Sequence, residues 1–210
     1  MRGLTSSLLV SRGYAVFFPN PRGSTGRGQS FAEMVYGDMG GGEAADLLAG
    51  LDALLERGVA DPKRLGVMGG SYGGFMTAWL VTQTDRFAAA VAISPVTDWF
   101  SQHVTSNIGY WDRLILRDDP ANPGGEYFRR SPVAFADRVK TPTLLTAGED
   151  DRCTPPGQAR EFHQALLEHG VESELAIYPG EGHWVRKLPA LIDWLTRLTG
   201  WFERFMPART

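Results

Sequence analysis

The sequence predicts a single α/β domain over residues 1–210, a mostly parallel sheet with helices on both faces. Three observations carry that expectation. Short, nearly uninterrupted apolar runs recur along the chain, longer stretches with helical periodicity separate them, and no internal repeat or low-complexity linker divides it. Strands that are apolar throughout are buried on both faces, which a parallel sheet achieves when its crossover helices lie above and below it. The length suffices for a substantial core, and 43% apolar with 21% charged residues is an ordinary globular composition.

The elements follow in order. Gly13–Phe18 is an apolar run ended by Pro19-Asn20-Pro21, and a strand is expected there. Arg22 to Gly42 is too rich in Gly and Ser for regular structure throughout. From Glu43 to Arg57, Ala44, Leu47, Leu48, Leu51, Leu54 and Leu55 recur at helical spacing, and Gly58 is placed to end that helix. Leu65–Met68 is a short strand, followed by a helix from about Tyr72. Phe87–Ser94 and Thr143–Ala147 are further strands, with a long irregular insertion between Pro95 and Val139. A helix from about Pro156 to His169, a strand at Leu175–Tyr178 and a terminal amphipathic helix within Leu188–Met206 complete the series.

Composition narrows the functional classes. A net charge of −3 without Lys/Arg runs offers no surface for nucleic acid or an anionic membrane. The chain start has no long apolar segment with a cleavage site, and Asp193, Arg197, Glu203 and Arg204 interrupt the terminal apolar stretch, so neither a signal peptide nor a membrane span is expected. The single cysteine, Cys153, excludes an internal disulfide framework and suits a reducing compartment, so a cytoplasmic location is expected. His103, His163, His169 and His183 have no zinc-like spacing, and no metal or cofactor is expected. Self-association into a homo-oligomer is left open.

Gly69-Gly70-Ser71-Tyr72-Gly73 matches G-x-S-x-G between an expected strand and an expected helix. A nucleophile raised on so sharp a turn needs strained backbone angles, and its neighbours must lack side chains where the chain packs closely. The turn would also aim the Tyr72 N–H, in the first turn of the helix, at a developing oxyanion. The spacing Gly66-x-x-Gly69-Gly70 does not fit the dinucleotide fingerprint G-x-G-x-x-G.

A serine hydroxyl needs a base to take its proton, and the base needs an orienting carboxylate. On an α/β-hydrolase sheet the chain order is Ser, then acid, then His. Glu149, Asp150 and Asp151 follow the strand at Thr143–Ala147, and His183 follows the last strand in a Gly-flanked loop. Both fall on the sheet edge expected to hold Ser71. Spacing alone leaves the choice among the three acids open.

These residues resemble the catalytic domain of the prolyl oligopeptidase family, in its acylaminoacyl-peptidase and dipeptidyl-peptidase-like branch. The resemblance runs through Ser11–Val16, Asn20–Gly26, Gly69–Gly74, Ser131-Pro132 with Lys140–Pro142, Gly148–Arg152 and Tyr178–His183. It implies the α/β-hydrolase fold and a triad of Ser71, Asp150 and His183, Asp150 because the family's aspartate precedes by two positions an Arg matched by Arg152. It further implies that Arg152 binds a substrate carbonyl or terminus and that aromatic residues, here Tyr110 and Trp111, line the specificity pocket. Relatives carry a β-propeller and a His-Gly-Gly-Pro-like turn, the second oxyanion donor, on a strand preceding Leu4; these 210 residues contain neither. The sheet is therefore expected to lack its first strands, including one between Gly13–Phe18 and Leu65–Met68, and the chain to be a truncated, weakly active product. Arg27 stands where relatives often have an aromatic residue.

Three functions follow: a serine peptidase acting on short peptides through an acyl-enzyme, an esterase using the same triad, and a non-catalytic fragment.

Overall fold

The computed structural model describes residues 2–208. Its order is α1 (Arg2–Ser11), α2 (Gln29–Ala32), α3 (Gly42–Glu56), β1 (Gly66–Gly70), α4 (Tyr72–Gln83), β2 (Ala89–Ile93), α5 (Trp99–Thr105), α6 (Gly109–Leu116), α7 (Glu126–Arg129), β3 (Thr143–Gly148), α8 (Pro156–Glu168), β4 (Ser173–Tyr178) and α9 (Ala190–Phe205), with 3-10 turns at Glu33–Val35 and Pro132–Arg138. The four strands pair in parallel in the order β1-β2-β3-β4. Their carboxyl ends meet on one edge, with Gly70 opposite Ile93, Ile93 opposite Thr146, and Gly148 opposite Tyr178.

Side chains alternate across a strand, so each strand serves two cores. Ala90, Ala92, Leu145 and Ala147 face one side, against Phe75, Met76 and Trp79 of α4 and Phe162 and Leu166 of α8, with the leucines of α3 packed onto them. Ala89, Val91, Ile93 and Leu144 face the other, against Leu9 of α1 and Trp194, Leu198, Trp201 and Phe202 of α9. Small residues predominate in β2, which lets α4 and α9 close on its two faces. Among the described residues no helix is long and apolar enough to cross a membrane.

Two expectations need correction. Gly13–Phe18 is not a strand: it runs without a ladder partner among the described residues, and β1 ends the sheet on that side. An apolar sequence makes a strand only when a neighbour completes its hydrogen bonds. Tyr14 and Val16 pack against the α9 core, the Phe17 ring lies against Gly50 of α3, and Phe18 stays 57% exposed. The segment from Pro95 to Val139 is not irregular, because it forms α5, α6, α7 and a 3-10 turn. Asp98 starts α5 by accepting hydrogen bonds from the Phe100 and Ser101 N–H groups. α1 is an element the sequence reading did not assign. The Gly-rich stretch is mostly irregular as expected, fastened where Arg22 grips Asp46 of α3 at 2.6 and 2.8 Å.

Candidate active site

Ser71 stands between β1 and α4 at φ 60° and ψ −120°, a conformation that costs a non-glycine residue of the order of 1–3 kcal/mol. Its N–H donates to the Ile93 carbonyl at 2.9 Å, and its carbonyl accepts the Phe75 N–H, which starts the helix. The turn is tight enough that a Cβ on Gly69 would lie 2.3 Å from the Gly73 carbonyl oxygen. The Tyr72 N–H belongs to the first turn of α4, where helical donors have no intrahelical acceptor. The Tyr72 ring is fixed by its phenol, which donates to the buried Glu43 Oε1 at 2.7 Å. Burial and the neighbouring Glu43 charge both raise the Tyr72 pKa.

The carboxylate that meets His183 is that of Asp151, not Asp150. Asp151 Oδ2 lies 2.7 Å from His183 Nδ1, and its side chain is fully buried. Its Oδ1 accepts the Cys153 and Thr154 N–H groups at 2.8 and 3.1 Å, and Thr154 Oγ1 lies 2.9 Å from Oδ2. Burial pushes the Asp151 carboxyl up, but the hydrogen bond and charge of His183 and the two N–H donors outweigh it and hold the group below its ordinary value. The turn leaving β3 decides between the neighbours. Glu149 and Asp150 spend their N–H groups on the Tyr178 and Glu181 carbonyls and face solvent, and Asp151 is the first residue to turn inward. With Asp151 as the partner, Arg152 follows the acid by one position instead of two, so the register that favoured Asp150 fails.

His183 sits on the loop after β4. That loop approaches the acid loop so closely that a Cβ on Gly148 would lie 2.1 Å from the Gly182 carbonyl oxygen. Buried Glu181 accepts the Arg186 and Lys187 N–H groups at 3.0 and 2.9 Å and so shapes the turn around the histidine. Trp184 packs edge-on to His183 at 4.8 Å and covers Gly70, beside the serine. The Ser71 hydroxyl makes no hydrogen bond with another described residue, as is common before a substrate tightens such a site.

The other expected site residues fall nearby. Arg152 is exposed and makes no ion pair among the described residues, while its carbonyl accepts the Asn107 N–H. Trp111 is half-buried, edge-on to Tyr72 at 6.5 Å and near Trp99 at 6.3 Å. Tyr110 points elsewhere: it is 70% exposed and lines a groove of about 600 Å³ with His103, Ser106, Asn107, Arg113 and Leu114. Ser106 Oγ and Gln102 Nε2 both donate to the Cys153 carbonyl at 2.7 Å, so the insertion braces the acid loop. Arg27 lies over the Phe31 ring at 5.5 Å. Among the described residues no cluster of His, Cys, Asp and Glu could hold a metal ion. Sequence reasoning missed Ser94, Thr154 and Glu181; only Glu181 carried any signal, as an acid within the Gly-flanked histidine loop.

Residues 2–208 match the prolyl oligopeptidase family. The chain belongs to that family. It is 41% identical over 205 residues to an uncharacterised peptidase of Bacillus subtilis, covering 95% of this chain and 31% of that protein. It is 31% identical to the acylamino-acid-releasing enzyme of Arabidopsis thaliana, covering 96% of this chain and 28% of the relative. The acylaminoacyl peptidase of Pyrococcus horikoshii superposes with a TM-score of 0.90 at 31% identity, over 98% of this chain and 34% of that one. A puromycin-hydrolysing peptidase of Mycobacterium tuberculosis superposes with a TM-score of 0.86 at 30% identity, over 90% of this chain and 29% of its own. The chain thus spans about a third of the length of these relatives and has the α/β-hydrolase fold of the family.

Proposed function

We propose that this domain hydrolyses amide bonds of short peptides by acyl transfer, with Ser71 as nucleophile, His183 as general base and Asp151 as the orienting acid. One observation carries the reading: a fully buried carboxylate 2.7 Å from His183 Nδ1, at the sheet edge where the strained Ser71 turn projects. The carboxylate keeps the Nδ1 proton in place, so Nε2 is free to accept the Ser71 proton as the hydroxyl attacks the carbonyl. The Tyr72 N–H stabilises the negative charge on the tetrahedral oxygen. His183 then returns the proton to the departing amine, and water repeats the sequence on the acyl-enzyme. Arg152, exposed and without an ion pair among the described residues, is available to a peptide carbonyl or terminus, and Trp111 against Tyr72 borders the leaving or acyl side chain. Similarity to an acylamino-acid-releasing enzyme and to a puromycin-hydrolysing peptidase favours peptide-like amide substrates over esters. A cytoplasmic site of action remains part of the proposal, resting on the single free Cys153.

The test compares N-acetylated and free aminoacyl anilides with a short acyl ester, using the full chain and its Ser71→Ala variant. Anilide hydrolysis that Ser71→Ala abolishes supports the peptidase. Turnover of the ester alone would replace it with an esterase, and turnover of neither by folded protein would leave a non-catalytic domain.

A further inference from the structure

Residues 93 and 94, where β2 ends, touch Ser71 and His183 directly and reach Asp151 through Thr154. The Ile93 carbonyl accepts the Ser71 N–H at 2.9 Å. Ser94 Oγ donates to the His183 carbonyl at 3.1 Å. The Ser94 carbonyl lies 3.0 Å from Thr154 Oγ1, the hydroxyl that also approaches Asp151 Oδ2 at 2.9 Å and His183 Nδ1 at 3.3 Å. Ser94 does this at φ 42°, a left-handed conformation that a serine does not adopt without cost, and its own N–H is pinned to the Thr146 carbonyl at 2.7 Å. Both hydroxyl residues are buried, with Ser94 2% and Thr154 3% exposed.

A hydroxyl has one proton and two lone pairs. The Ser94 carbonyl and Asp151 Oδ2 are both acceptors, so they compete for the Thr154 proton, while the His183 Nδ1–H can share its own between Asp151 and the Thr154 oxygen. Neither Ser94 nor Thr154 touches the reacting atoms. We propose that Thr154, anchored on the strained Ser94, is a positioning residue that bridges the Asp151–His183 pair to the end of β2 and so holds the imidazole in register with Ser71. This rests on the acyl-transfer reading above. Removing the hydroxyl leaves Asp151 Oδ2 with one donor fewer, and its less neutralised charge pulls harder on the imidazolium form of His183.

The experiment uses the full chain with Thr154→Val, which keeps the shape, and Thr154→Ser, which keeps the hydroxyl. For Thr154→Val, kcat on the anilide is expected to fall by about 10- to 100-fold with KM little changed, as for loss of positioning. The acid limb of the kcat/KM profile should move to higher pH, and Thr154→Ser should restore both. A kcat and acid limb that Thr154→Val leaves in place, or a loss that Thr154→Ser does not repair, overturns the proposal. A second readout separates this from failure of the functional reading: the downfield proton resonance of the His183 Nδ1–H, observed with or without turnover. Its displacement in Thr154→Val and return in Thr154→Ser supports the bridge, even in a protein that hydrolyses nothing. A resonance unmoved in both variants refutes it.

Discussion

Asp151→Asn and Asp150→Asn change neighbouring residues by the same atoms, and the structure expects opposite results. At 151 the Oδ1 position must still accept the Cys153 and Thr154 N–H groups at 2.8 and 3.1 Å, so the Asn carbonyl belongs there. That places the amide NH2 at the Oδ2 position, 2.7 Å from His183 Nδ1. Two donors cannot share that contact, so the imidazole must move its proton to Nε2. In that tautomer it cannot accept the Ser71 proton. Loss of orientation and of the charge facing the imidazolium costs roughly 10³- to 10⁴-fold in kcat/KM by analogy with other triads, or about 4–5.5 kcal/mol of transition-state stabilisation. Asp150 faces solvent, and among the described residues only its main-chain N–H is engaged, to the Glu181 carbonyl. Asp150→Asn should stay within about threefold, the small effect usual for exposed substitutions. Steady-state anilide hydrolysis on both variants, with unfolding curves to confirm folding, decides the matter. Equal losses, or a larger loss at 150, would refute the assignment.

Other consequences follow from the packing. Gly69→Ala sets a Cβ 2.3 Å from the Gly73 carbonyl oxygen, and displacement of the turn should lower kcat about 10²-fold with the fold retained; unchanged kcat would contradict the tight-turn account. Leu198→Ala removes a fully buried side chain between α9 and the sheet and should cost about 2–5 kcal/mol in urea unfolding. Asp112 is fully buried, with neither carboxylate oxygen hydrogen-bonded to another described residue and His103 Nδ1 3.7 Å away; burial pushes its carboxyl up to about 7. Because the folded state favours the protonated form, stability is fully present below the ordinary value of 3.8, falls as pH rises toward about 7 and then levels. Asp112→Asn should therefore gain over wild type between pH 4.5 and pH 8, by up to about 4 kcal/mol; a melting-temperature difference that does not vary with pH would contradict this.

The four strands that pair were legible because each is a short apolar run flanked by helical periodicity, which survives local reading. Gly13–Phe18 carries the same signal and is not a strand, since an apolar run does not reveal whether a ladder partner exists beside it. The helices between Trp99 and Arg129 are each eight residues or fewer, too short for an apolar periodicity to stand out. At the site, the order of serine, acid and histidine after successive strands is a property of the chain and was readable. The choice among Glu149, Asp150 and Asp151 was not, because successive residues of a turn point in different directions and one dihedral decides which enters the core. Ser94 and Thr154 were invisible for another reason: hydroxyl residues are common, and their importance lies in contacts 60 residues apart.

The most direct test of the account is fluorophosphonate labelling of the full chain, with the adduct located by peptide mass mapping, beside Ser71→Ala and His183→Ala. A single adduct on Ser71, absent from both variants, is the expected result. A folded protein that takes no label, or whose label persists in Ser71→Ala, would contradict the claim that Ser71, His183 and Asp151 form a working acyl-transfer site.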